Sequence, residues 1–269
     1  MGASGILGDM VNEVENVAEE PLSGGIAAGR VTKVGDTVRR PSGPGTPTLQ
    51  ALLRHLRGKG FPCPEPLGLD ASGREILSFL PGRASNWPWP PILLQPEGAR
   101  RIGAMLARYH AAVVDFAPSS AVWTHGPQEI GADEIVLHGD FGPHNLIWND
   151  DELTGVIDFE LARPGAPMED AGFAVIRAAQ LRPDDMTRGP GFETPPDRVR
   201  RLDAFAEGFR ASRSELIVAA LGVQRAEIDR IERLGAAGLE PWAAFHGKGL
   251  ADVARAELVW IEANAAWLA

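Results

Sequence analysis

Residues 134–160 constrain the fold more than any other stretch. An apolar run, Ile135, Val136 and Leu137, leads into His138-Gly139-Asp140. After the turn Phe141-Gly142-Pro143-His144, Asn145 opens a second apolar run of Leu146, Ile147 and Trp148, and Asn149-Asp150-Asp151-Glu152 turns the chain back into Val156-Ile157-Asp158. Short apolar runs bounded by turn residues read as strands, so the stretch predicts a loop followed by an antiparallel pair. Asp140, Asn145 and Asp158 are left at strand ends, where rigid backbone can hold polar groups for a site.

A chain of 269 residues that is 44% hydrophobic can bury a substantial core in one large or two small domains. The formal net charge of −10 repels nucleic acid and anionic membranes and suits a neutral or cationic partner. Cys63 is the single cysteine, which excludes a disulfide framework and a thiolate cluster; within Phe61-Pro62-Cys63-Pro64 it reads as a buried structural residue. No apolar segment is long enough to span a bilayer and no secretory leader is evident, so a cytoplasmic protein is expected.

The chain divides into three pieces. Residues 1–21 form an acidic extension in which Ile6, Leu7, Met10, Val11, Val14 and Val17 are close to helical spacing, compatible with a packing helix or a tail. Residues 22–82 form a small β-rich unit: Gly35-Asp36 joins two strands and Asp70-Ala71-Ser72-Gly73 joins two more. Between them Thr46-Pro47 starts a helix with Leu49, Leu52, Leu53 and Leu56 on one face. Gly24-Gly25 and Gly29 read as a turn, with phosphate cradling as the alternative. Residues 83–269 are mostly helical, with an amphipathic segment through Ile102, Met105, Leu106 and Tyr109, then helices over 170–181, 197–210, 214–221, 226–234 and 250–268. His110 reads as a capping or core histidine, and Trp242, Phe245, Trp260 and Trp267 as packing aromatics.

A carboxylate with an amide oxygen suits Mg²⁺, a hard ion that takes oxygen ligands. If the two strands pair, Asn145 and Asp158 face each other and can supply that pair, which leaves Asp140 to orient a hydroxyl and accept its proton. Phosphoryl transfer needs little more, since positioning and charge neutralisation carry most of its catalysis. A transition-metal hydrolase built on His138, Asp140 and His144 is a competing reading of the same loop.

His-Gly-Asp-x-x-x-x-Asn followed by Ile-Asp-Phe-Glu resembles the catalytic and metal-binding loops of the aminoglycoside phosphotransferase family. The resemblance implies an α+β, protein-kinase-like two-lobed fold and ATP-dependent transfer, with Mg²⁺, to a hydroxyl of a small polar molecule. It makes Asp140 the catalytic aspartate, Asn145 and Asp158 the magnesium ligands, His138 a support of the loop, and Asp170 a helix-starting residue with an N-cap role. Ser78, Phe79 and Leu80, in Ser78-Phe79-Leu80-Pro81-Gly82, become the hinge whose backbone meets the adenine. The phosphate-holding cation falls in Val38-Arg39-Arg40, with Arg39 preferred and Arg40 the alternative. The family's helix glutamate is missing from Thr48-Leu49-Gln50-Ala51-Leu52. That gap keeps open a second reading, a kinase-like protein that binds a ligand or partner without turnover.

Overall fold

The computed structural model describes residues 18–22, 30–85 and 87–269. The possible helix through Ile6 to Val17 and the glycines at 24, 25 and 29 lie outside these residues.

Five strands form the small lobe, all antiparallel: β1 (Glu19–Pro21), β2 (Thr32–Val34), β3 (Thr37–Arg40), β4 (Pro66–Leu69) and β5 (Glu75–Ser78), in the spatial order β1-β2-β3-β5-β4. Glu19–Pro21, assigned to the extension on sequence, adds the edge strand, with Glu20 opposite Lys33. Gly35 takes φ +58°, which the two-residue turn between β2 and β3 requires. Between β4 and β5 the Asp70 carboxylate accepts from the amides of Ser72 and Arg74, closing the turn that its sequence predicts.

Helix α1 (Thr46–Gly58) crosses behind this sheet. Leu52, Leu53 and Leu56 are at most 1% exposed, and each such burial contributes about 2 kcal/mol relative to an exposed side chain. Cys63 is buried beside them, its Sγ against the Leu53 carbonyl, and desolvation pushes its thiol up to about 12. It is a packing residue, as its context implies.

The connector after residue 82 does more than span the lobes. Arg83–Ala84 (β6) pairs with Trp148 and Ile147, so the chain crosses by joining a three-stranded sheet. Helices α2 (Pro91–Leu94) and α3 (Pro96–Val113) then open the large lobe. The sheet that β6 joins also contains β8 (Leu146–Asn149) and β9 (Glu152–Val156), while β7 (Ile135–Leu137) pairs with β10 (Arg163–Gly165). The remainder is α4 (Pro167–Ala178), α5 (Arg198–Phe209), α6 (Arg213–Ala236), α7 (Trp242–Gly247) and α8 (Leu250–Leu268). The two helices expected over 214–221 and 226–234 are one, because Gly222 sits in open space and Gln224, just beyond it, is buried and donates to Glu257. Among the four C-terminal aromatics, Trp242 is buried, but Trp267 is 51% exposed and caps no core.

The core runs directly beneath the predicted loop. Tyr109 of α3 is fully buried, donates its hydroxyl to the Val136 carbonyl, and is ringed by Phe61, His138, Phe141 and Phe159. These rings bring together α3, the linker after α1, the loop after β7 and the segment after β9. No helix among the described residues is long and apolar enough to cross a membrane.

Candidate active site

The loop after β7 is held from both sides. His138 is fully buried; its Nε2 lies 3.0 Å from the Ile157 carbonyl and its Nδ1 accepts from the Asp140 amide at 3.3 Å. Desolvation lowers its pKa, which favours the neutral ring that accepts at Nδ1 and donates at Nε2. Gly139 takes φ +80°, and a Cβ there would stand 2.2 Å from the Leu161 carbonyl oxygen, so no other residue fits. The amides of His138 and Gly139 both donate to the Asp170 carboxylate, at 2.8 and 3.0 Å.

That geometry replaces the N-cap expected of Asp170. It stands inside α4, past the first residues, and its carboxylate satisfies the amides of the loop across the lobe. Burial raises its pKa, but the nearby His110 and His138 and the amide bond from His138 together hold it below the usual carboxylate range. His110 Nε2 lies 3.7 Å from Asp170 Oδ2, a placement beside a buried carboxylate that neither of its expected roles described.

The motif carboxylate lies at the open edge of the loop. A 3₁₀ turn over Pro143–Asn145 folds two side chains back onto Asp140. His144 Nε2 is 2.9 Å from Asp140 Oδ2, and Asn145 Nδ2 donates to the same oxygen at 3.0 Å and to the Asp140 carbonyl at 3.0 Å. Asp140 Oδ1 has no such partner among the described residues. Burial again works against ionisation, yet the nearby His144, Arg177 and His138 keep the Asp140 pKa below its ordinary value. His144, a turn residue in the sequence and a metal ligand in the hydrolase reading, instead stands against Asp140. The 3₁₀ turn over Pro143–Asn145 brings His144 and Asn145 back toward Asp140.

Asp158, after β9, takes φ +65° and directs its carboxylate into the cleft between the lobes. Its side chain is 44% exposed, but the surrounding protein desolvates it enough to raise its pKa, and the negative Asp140 adds to the effect while Arg40 opposes it. Asn145 spends its amide N–H groups on Asp140, which leaves its Oδ1 free of any donor among the described residues. The Asn145 carbonyl accepts from the Ile157 amide, so the two segments that carry Asn145 and Asp158 are tied side by side. A free amide oxygen beside a carboxylate that lacks enough positive charge suits a hard divalent cation. The hydrolase reading fares differently: both ring nitrogens of His138 are engaged, and the described residues contain no group of three His, Cys, Asp or Glu able to hold a metal.

Strand alternation settles which arginine enters the cleft. Arg39 faces away, bonding Thr37 Oγ1 at 2.6 Å and lying 3.8 Å from Asp70. Arg40 faces in: it is 7% exposed, and its Nη1 approaches Asp158 Oδ1 at 3.9 Å and Glu160 Oε1 at 3.5 Å. The preference for Arg39 is therefore corrected. At the expected hinge, the Ser78 and Phe79 amides already donate to the carbonyls of Glu65 and Asp36, whereas the Leu80 amide makes no backbone bond to the described residues.

Comparison with known proteins places this arrangement. The model of the phosphotransferase enzyme family matches residues 119–202, which contain the loop, Asp158 and Asp170. A trifolitoxin immunity protein from Rhizobium leguminosarum bv. trifolii is 32% identical over 192 residues, covering 69% of this chain and 72% of that protein. The chain belongs to the phosphotransferase enzyme family. A homoserine kinase from Methylocella silvestris is 28% identical, with 43% of this chain and 48% of that enzyme covered, so the chain spans about half the length of this relative. Among solved structures, aminoglycoside 2′-phosphotransferase-IIIa with GDP superposes with a TM-score of 0.54 at 14% identity, covering 93% of this chain and 95% of that one. An aminoglycoside phosphotransferase from Streptomyces rimosus, with ADP and streptomycin, gives 0.51 at 14% identity over 76% of this chain and 90% of its own. At these identities the structures establish the kinase-like fold.

Proposed function

We propose that this phosphotransferase moves the γ-phosphoryl group of a nucleoside triphosphate, ATP or GTP, to a hydroxyl of a small polar molecule. The observation that carries this reading is the convergence of Asp140, Asn145 and Asp158 from the large lobe with Arg40 from the small one, its Nη1 3.9 Å from Asp158. Asp140 Oδ1 receives the acceptor hydroxyl, while His144 and Asn145 fix the other oxygen. The hydroxyl oxygen forms a bond to the γ-phosphorus, the bond from that phosphorus to the β-bridging oxygen breaks with its electron pair, and the hydroxyl proton passes to Asp140. With its pKa lowered, Asp140 is a weak base, which suits a loose transition state in which the proton leaves late. Asn145 Oδ1 and Asp158 would hold Mg²⁺, which neutralises charge on the phosphates. Arg40 would meet those phosphates, and the Leu80 amide offers the hinge donor.

Although the net charge of −10 favours a neutral or cationic partner, Arg177 beside the loop, unpaired among the described residues, favours an acceptor that is a small alcohol carrying an anionic group. Four of the carboxylates that could draw in a polyamine sugar are engaged elsewhere, Glu169 with Arg163, Asp184 with Arg198, Glu257 with Arg182 and Glu262 with Arg225, whereas Asp185 and Glu240 make no ion pair among the described residues. Arg177 stacks its guanidinium 3.5 Å over the Phe173 ring and makes no ion pair among the described residues. A Cβ on Gly142 would lie 3.3 Å from its Cδ, so it stands against the catalytic loop. Homoserine, named in several relatives, has one hydroxyl and one carboxylate. The trifolitoxin immunity protein supports a second reading, in which the hydroxyl belongs to a toxin and its phosphorylation protects the cell. Mass spectrometry of a panel of amino alcohols, hydroxy acids, aminoglycosides and hydroxyl-bearing peptide toxins, incubated with the enzyme, Mg²⁺ and ATP or GTP, tests both. Transfer to hydroxy acids or carboxylated amino alcohols, lost with Arg177→Ala, supports the first, and transfer to aminoglycosides alone would overturn it.

A further inference from the structure

A cation that meets phosphates must be held in place, and α1 gives Arg40 nothing to hold it. Gln50 Nε2 donates to the Gly68 carbonyl at 3.4 Å and its Oε1 accepts from Arg54 at 3.2 Å. The acid comes from the sheet instead. β3 pairs with β5 so that Arg40 stands opposite Glu75, and Arg40 Nε donates to Glu75 Oε2 at 2.5 Å. Glu75 is 1% exposed, its Oε1 has no hydrogen-bond partner among the described residues, and Arg40 is its sole ion-pair partner there. Desolvating a carboxylate costs several kcal/mol, and packing alone would favour an apolar side chain at such a site. The one group that gains from Glu75 is the guanidinium of Arg40.

Geometry determines what is gained. With Nε taken, the guanidinium plane is fixed and its Nη edge is turned toward Asp158 and Glu160 across the cleft. We propose that Glu75 is the positioning residue for Arg40, orienting it from the sheet toward the nucleotide phosphates, and that α1 has no part in this. The inference rests on the phosphotransferase reading. It also means that movement of α1 does not make or break the ion pair that holds Arg40, because the pair lies within two adjacent strands.

A double-mutant cycle with a non-hydrolysable ATP analogue and Mg²⁺, read by calorimetry, tests it. Glu75→Gln should weaken binding about 10- to 100-fold in the wild-type background, the scale of a misplaced positioning group. In an Arg40→Gln background, where charge is removed from both partners, the same change should cost less than about twofold. Gln50→Ala should leave affinity unchanged. The Arg40 Nε–H resonance, followed by NMR without nucleotide, should move in Glu75→Gln and stay in place in Gln50→Ala. Equal losses in both Arg40 backgrounds, or a loss in Gln50→Ala matching that of Glu75→Gln, would overturn the proposal. An unmoved Nε–H signal in Glu75→Gln would overturn the hold on Arg40 alone, whereas wild-type protein that binds no nucleotide would overturn the phosphotransferase reading itself.

Discussion

In the proposed transfer Asp140 has to be ionised to take a proton, and two opposing influences decide whether it is. Burial favours the acid form, while His144, Arg177 and His138 favour the carboxylate and prevail. With nucleotide and Mg²⁺ saturating, the acid limb of kcat should therefore fall below pH 3.8, the ordinary aspartate value. Replacing His144 with alanine removes the largest favourable influence, so burial gains and the limb should move upward in pH with nucleotide affinity unchanged. A pH profile of kcat for His144→Ala against wild type checks the direction. Asp158 shifts the other way: its raised pKa means that, without saturating metal, protons compete for it at higher pH than for Asp140. The Mg²⁺ affinity measured by titration should accordingly decline on acidification before kcat does.

At the level of elements, Asp170 joins α4 to the loop after β7 through two amides. Asp170→Asn keeps the shape but offers one acceptor oxygen in place of two, which should destabilise the fold by about 1–3 kcal/mol in denaturant melts. The folded pKa of Asp170 is depressed, so its contribution is fully present above the unfolded aspartate value and is lost as pH falls through the folded one. The difference between wild type and variant should therefore shrink in strong acid. Helices α3 and α5 approach closely through small residues: a Cβ at Gly208 would stand 2.1 Å from the Arg100 carbonyl oxygen, and one at Gly103 2.5 Å from that of Phe205. Gly208→Ala should lower stability by about 1–3 kcal/mol in the same melts, since the clash is with backbone that cannot rotate away. Periodicity placed both helices on the sequence, because Ile102, Leu106, Leu202 and Phe205 are buried at helical spacing. It gave no hint that they pack through glycines, since a glycine's partner lies far away in the chain. For the same reason the break expected near Gly222 did not occur: neighbours of Gln224, unseen in local sequence, hold α6 continuous.

Across the molecule, the parts legible in the sequence were those encoded locally. The loop, both β-turns and the order of the lobes could be read because each depends on residues a few positions apart, such as Asp70 with Arg74 or Asp140 with Asn145. What escaped were pairings across long separations: Arg40 with Glu75, Asp170 with the loop amides, and His110 with Asp170. Each of these pairs lies within one lobe; a further long-range pairing crosses the cleft, where Arg40 of the small lobe faces Asp158 and Glu160 of the large one. The most direct test of that convergence compares wild type with Asp140→Asn, supplying Mg²⁺, γ-labelled nucleoside triphosphate and the acceptor panel. The wild type should transfer label to an acceptor hydroxyl, and Asp140→Asn should lose transfer by several orders of magnitude while binding nucleotide with unchanged affinity. Transfer that persists in Asp140→Asn, or nucleotide binding by wild type with no transfer to any hydroxyl, would contradict the account.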